Sequence, residues 1–153
     1  MQLFDETPLT GRLQIYKDSS LVFDELNLIT NPAKNALLAF LYQGGTVADP
    51  ITSLQIGTGG TIDSVGLYPK QENPNQTSLN SYLLTLTTSY TPNVGNNSVT
   101  FLATADVNTA NNSLISEAAL FKTSGAMFNI KNFPGIYKTS YFALYFNWTI
   151  TFP

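Results

Sequence analysis

The chain predicts a mainly β fold: an antiparallel, jelly-roll-like β-sandwich with one short α-helix near residues 32–43. Three observations carry that expectation. From Tyr82 to Phe152, apolar and polar residues alternate with period two, in runs separated by Gly, Pro and Asn turns. Thr, Ile, Phe and Tyr, which favour pleated and half-buried surfaces, are frequent. A single well-marked helical period occurs, just after residue 31. At 153 residues the chain is long enough to bury one core, and no linker or repeat divides it. The expected organisation is an N-terminal arm over residues 1–10 and a single β-sandwich domain over 11–153.

Leu13 and Ile15 alternate with Arg12, Gln14 and Tyr16, which predicts a strand over about 11–17. Lys17-Asp18-Ser19-Ser20 reads as a turn, and Leu21–Leu28 as the returning arm of a hairpin. For the helix, Asn31 reads as the N-cap and Pro32 as the first helical position. Ala33, Ala36, Leu37, Phe40 and Leu41 then share one stripe, and Gly44-Gly45 ends it. Such a stripe needs a sheet to pack on. Ile51–Ile56 reads as a short strand running into Gly57-Thr58-Gly59-Gly60. Residues 61–78 are the longest non-periodic tract, polar and interrupted by Pro69 and Pro74, with Leu67 and Tyr68 as its expected anchors. A tract of that length in a small domain is a candidate functional loop.

Strands are then expected over Tyr82–Tyr90, Val99–Ala105, Leu114–Phe121 and Ala126–Ile130. Turns are expected at residues 92–97, at Asn108–Asn112, at Thr123-Ser124-Gly125 and at Asn132-Phe133-Pro134-Gly135. A long closing strand, Thr139–Phe152, puts Phe142, Leu144, Phe146, Trp148, Ile150 and Phe152 on one wholly apolar face. Tyr141, Tyr145 and Asn147 fall on the opposite face and suit a subunit contact, as tyrosine binds with little rotamer loss.

Composition narrows the function. Only 11% of residues are charged, seven basic against ten acidic, so Asn, Thr, Ser and Gln must cover much of the surface. The basic residues stand singly, without the patch a nucleic-acid binder needs. There is no histidine and no cysteine, which removes Cys/His zinc sites, thiol chemistry and histidine triads. No run of about 18 apolar residues appears, so no membrane span is expected. The opening MQLFDETPLT carries two acids and lacks the apolar stretch of a secretory signal. Catalytic, cofactor and metal sites are therefore expected to be absent.

Individual residues are read in the same way. Gly57 and Gly59, in the run Ile56–Gly60, are not followed by the lysine and helix of a phosphate-binding loop, and read as a turn needing positive φ. Glu117 interrupts the apolar run ISEAALF, on the side of Ile115 and Ala119 by alternation. It needs a partner: an ion pair with Lys138 or Lys131, or a hydrogen bond to a loop. Paired glycosidase carboxylates lack a pattern here, although Asp63 and Asp106 are available. Trp148 reads as core.

The ordered set Ile56-Gly57-Thr58-Gly59, Val99 and Phe101, Ile115 and Glu117, Leu120-Phe121, Met127-Phe128, Lys138 and Trp148–Phe152 resembles a widespread group of small virion proteins of tailed bacteriophages. The resemblance spans residues 27–152. It departs at Ala119, where glycine is expected, and at Asn129-Ile130-Lys131, which replaces an Ala-Arg pair. It implies a non-enzymatic structural protein of the virion, assembled in the host cytoplasm. That would be a capsid-associated decoration or head-fibre-base subunit binding the major capsid protein, or a tail, baseplate or fibre component with a receptor-binding role. The implied partners are other virion proteins and copies of the chain itself, a trimer by analogy with threefold virion sites; neither nucleic acid nor membrane is implied.

Overall fold

The structure, a computed structural model, describes residues 9–43 and 49–152, without the side chains of 39–43. Of the expected arm only Leu9 and Thr10 are described. Leu9 packs on the core and Thr10 already begins a strand. Gly44 and Gly45 lie outside the described residues.

The chain is mainly β, with one short helix. Its elements are β1 (Thr10–Lys17), β2 (Ser20–Ile29), α1 (Asn31–Gln43), β3 (Ile51–Gly57), β4 (Tyr82–Thr87), β5 (Ser89–Asn93), β6 (Ser98–Ala105), β7 (Ser113–Lys122), β8 (Met127–Lys138) and β9 (Leu144–Thr151). Every strand pair is antiparallel. The two layers of the expected sandwich are halves of one nearly closed sheet, ordered β4-β3-β7-β8-β2-β1-β9-β6-β5. β2 runs through both halves: it pairs with β1 along most of its length and with β8 only at Leu28 and Ile29. The two edges, β4 and β5, are consecutive in the chain and separated by Thr88 alone. The strand expected over Tyr82–Tyr90 is thus two strands, which lie at opposite ends of the sheet order.

The core follows from the alternation. Leu144, Phe146, Trp148 and Ile150 of β9 and Leu13 and Ile15 of β1 are buried, and face Leu54, Ile56, Ile115, Ala118 and Leu120 from the other half. Each such Leu, Ile or Phe contributes about 1.5–3 kcal/mol on burial. Trp148 is fully buried, and its indole N–H donates to Asn27 Oδ1 at 2.7 Å. A second cluster, Leu79, Ala119, Phe121, Met127 and Ile130, lies on the other side of β7 and β8. β7 is therefore covered on both faces, which is why its sequence reads as an almost continuous apolar run.

Four sequence-based boundaries change. The helix cap is Thr30, not Asn31: its Oγ1 accepts from the Ala33 N–H at 3.4 Å, and its carbonyl accepts from the Lys34 N–H. Asn31 is already helical and its side chain donates to Asn75 Oδ1. Ala33 and Leu37 of the stripe pack on the core. Second, β8 does not stop at Asn132–Gly135. Ile115 and Glu117 of β7 pair with Ile136 and Asn132, so Ser116 alone faces the three residues Phe133, Pro134 and Gly135. This bulge buries Phe133 against Phe23, leaves Pro134 exposed where no donor is needed, and bends β8.

Third, the closing strand starts at Leu144, not Thr139. Residues 139–143 form a turn held by the Ala143 N–H donating to Asp18 Oδ1. Fourth, Pro92 lies within β5, on the sheet edge, rather than in a connection. Phe152 follows β9 and is half-exposed, so it leaves the apolar face that Phe142–Ile150 form.

Candidate interface loop

Segment 58–81 joins β3 to β4 and packs over the β7–β8 bulge. Its anchor is Glu117, which is fully buried. Oε1 accepts from the Gly59 N–H (3.0 Å) and the Ser81 N–H (2.7 Å). Oε2 accepts from the Asn80 N–H and the Asn80 side-chain amide, both at 2.9 Å. Four donors converge on one carboxylate, which satisfies a buried charge without a cation. The expected lysine partners are elsewhere. Lys131 pairs with Glu25 at 2.9 Å and lies 3.7 Å from Glu72; Lys138 bonds Asn111 and Thr139. The register shift at Ile115/Glu117 also breaks the expected alternation: Ile115 points into the main core, whereas Ala119 lies in the second cluster.

Gly57, Gly59 and Gly60 do not adopt positive φ, contrary to the turn expected there; the positive-φ glycines among the described residues are Gly66 and Gly125. Their role is close approach. A Cβ on Gly57 would meet the Ser81 carbonyl and Glu117 Oε1, one on Gly59 would sit 2.7 Å from the Ser81 nitrogen, and one on Gly60 would collide with the Ser116 carbonyl. The glycines let segment 58–81 lie directly on β7.

The tip of the loop is braced by local bonds. Asp63 accepts from the Leu67 N–H (2.9 Å) and the Tyr68 N–H (2.8 Å), and these bonds, Leu67 first, hold its carboxyl below the usual carboxylate range. Thr61 bridges Pro69, and the Ile62 N–H donates to the Tyr68 carbonyl. Gly66, at φ +80°, accepts from the Gly135 N–H at 2.7 Å and lies against Leu114. Glu72 accepts from the Asn132 N–H at 2.9 Å, and Leu79 is buried in the second cluster.

This frame presents apolar side chains to solvent. Ile62, Val65, Leu67 and Tyr68 are 73, 68, 61 and 63% exposed. Leu67 and Tyr68 are anchored through their backbone groups; their side chains are the displayed surface, not the expected anchors. Sequence reading singled out Tyr68 but missed Ile62 and Val65, which have no period within a polar tract.

The other expected contact residues lie elsewhere. Tyr141 is exposed in the β8–β9 turn, while Tyr145 and Asn147 lie on the outward face of β9, separated from β8 in the sheet by β2 and β1. None of them shares an element with Tyr68. Asp63 and Asp106 each bond their own turns, Asp106 to the Asn108 N–H and the Thr109 hydroxyl, and neither bonds the groups that hold Glu117.

An apolar cleft of about 560 Å³ opens between α1 and β5, β6 and β9, lined by Ala33, Leu37, Tyr90, Phe101, Phe128 and Phe152. The Lys122–Asp49 ion pair, 2.8 Å, stands at its rim. Among the described residues no group of three or more acidic side chains is placed to hold a metal, and no helix is long and apolar enough to cross a membrane.

No family model, no curated protein and no solved structure matches the chain. The fold and loop together define a class: a nearly closed antiparallel β domain that displays a braced apolar loop.

Proposed function

We propose that this chain is a non-enzymatic structural protein of a tailed-bacteriophage virion, a capsid-associated decoration or head-fibre-base subunit that docks on the major capsid protein through residues 61–69. The observation that carries the proposal is the braced display of Ile62, Val65, Leu67 and Tyr68. Large apolar side chains on a braced backbone bind with little backbone ordering cost and make good anchor points. The motif order from Ile56 to Phe152 supports the phage assignment. The oligomer is a homotrimer by analogy with threefold capsid positions.

A second reading rests on Tyr141, which is 91% exposed at a turn. Exposed aromatics on loops suit a tail, baseplate or fibre component that meets a host receptor or glycan.

The test is particle binding. Leu67→Asp combined with Tyr68→Ala, checked for intact fold by circular dichroism, is added to particles that lack the protein. Loss of two anchor contacts lowers affinity by at least about thirtyfold, on the order of 2 kcal/mol. Unchanged binding rules the loop out as the docking site. Particle reconstruction separates the two readings: density over the head lattice eliminates the tail assignment, and density at the tail tip eliminates decoration.

A further inference from the structure

We propose that Lys138 and Asn111 are the reacting pair of a self-formed isopeptide bond that ties the end of β8 to the β6–β7 turn. The two residues are already in contact. Lys138 Nζ donates to Asn111 Oδ1 at 3.0 Å and to the Thr139 carbonyl at 2.8 Å. A C=O length of about 1.23 Å then puts Asn111 Cγ no farther than about 4.2 Å from Nζ. A near-attack separation is about 3–3.5 Å, which Lys138 reaches by giving up its bond to Oδ1 and moving above the amide plane. The amide orientation is fixed from both ends, since Nδ2 donates to the Val107 carbonyl at 2.8 Å.

Lys138 is placed as a nucleophile needs to be. It is fully buried, and no carboxylate among the described residues lies within ion-pair distance. Its Nζ sits 5.4 Å from the centre of the Phe142 ring. A buried ammonium with only neutral acceptors is costly, and the neutral amine is the form that burial favours. Burial accordingly lowers the Lys138 pKa, with the charges of Asp106 and Asp18 opposing it. A desolvated lysine is a recognised activated amine.

The chemistry needs no external reagent. The ammonium first releases one proton to water, the neutral amine being the form that burial favours. The freed lone pair forms the Nζ–Cγ bond. The Cγ–Nδ2 bond then breaks, a proton passes from Nζ to Nδ2, and ammonia leaves. A secondary amide remains, and the buried charge is gone. The bond would close a loop from residue 111 to residue 138 that contains all of β7.

Intact-mass spectrometry of the purified, folded full chain is the test. The expected mass is lower than the sequence mass by one ammonia, and tryptic digestion yields a branched peptide joining the Asn111 and Lys138 fragments. Asn111→Ala and Lys138→Arg each restore full mass. Full mass in the folded wild-type chain overturns the proposal. So does an ammonia loss that fragmentation localises to a single unbranched peptide, the signature of a succinimide at an asparagine.

Discussion

Replacing Glu117 with glutamine keeps shape and volume but changes what the buried group can accept. The carboxylate takes two donors on each oxygen: Gly59 and Ser81 on Oε1, and two groups of Asn80 on Oε2. A glutamine oxygen can keep one of these pairs. Its NH₂ then faces the other pair, donor against donor. Two N–H groups lose their acceptor, at about 1–3 kcal/mol each, and the two retained bonds fall from charge-assisted to neutral strength. The expected loss is about 3–6 kcal/mol, a large part of the roughly 5–15 kcal/mol that holds a domain together. Urea unfolding followed by tryptophan fluorescence reads it, with Trp148 as the sole reporter. The midpoint should fall with little change in slope. Amide exchange at Gly59, Asn80 and Ser81 should accelerate before the rest of the chain does. A loss under about 1 kcal/mol would refute the view that this carboxylate is the main anchor of segment 58–81.

Gly60→Ala drives a Cβ into the Ser116 carbonyl and should cost about 1–3 kcal/mol by urea melts, whereas Gly95→Ala, whose nearest neighbour would be 3.7 Å away, should be close to neutral. Equal effects would remove close approach as the reason for glycine at 60. Trp148→Phe leaves Asn27 Oδ1 without its 2.7 Å donor and should destabilise by about 2–4 kcal/mol, seen as a lower Tm. The Asp49 carboxyl is lowered from 3.8 to about 2, by the Lys122 ammonium first and then by the Ser124 N–H and hydroxyl. A folded pKa below the unfolded one gives stability that is present above the unfolded value and lost as pH falls through the folded one. Asp49→Asn should therefore flatten the decline in stability between pH 3.8 and about 2; superimposable wild-type and variant profiles would contradict this.

The sequence was most legible where the signal is local. Leu144 to Ile150 and Leu13 to Ile15 alternate because one face meets the core, and the alternation can be read without knowing the partner strand. The stripe marks the helix, but its cap is Thr30, one residue before the expected Asn31. Asn31 and Thr30 are both good caps, and the choice was made by the Thr30 hydroxyl, which also bonds the distant Met127 and Phe128 carbonyls. The Asn132–Gly135 segment departs from its expected turn for the same reason. Asn-Phe-Pro-Gly has turn chemistry, but Glu72 and Gly66, both distant in sequence, hold it as a bulge inside β8. Thr88 carries no signal for the break between β4 and β5, because closure of the sheet decides it. The apolar run around Glu117 marks it as an acid that needs a partner. Its donors are mostly backbone N–H groups, which are identical in every residue and leave no trace in composition.

The pairing of Thr10 with Thr151 places the first strand and the last side by side and antiparallel, through to Lys17 opposite Leu144. Tension applied at those two ends would open the β1–β9 seam one rung at a time, like a zipper pulled from its top. Tension entering through the 61–69 loop meets a different geometry. It passes through the Glu117 contacts into β7, a strand paired on both sides from Glu117 to Phe121. Tension on the loop is therefore expected to meet more resistance than tension on Thr10 and Thr151.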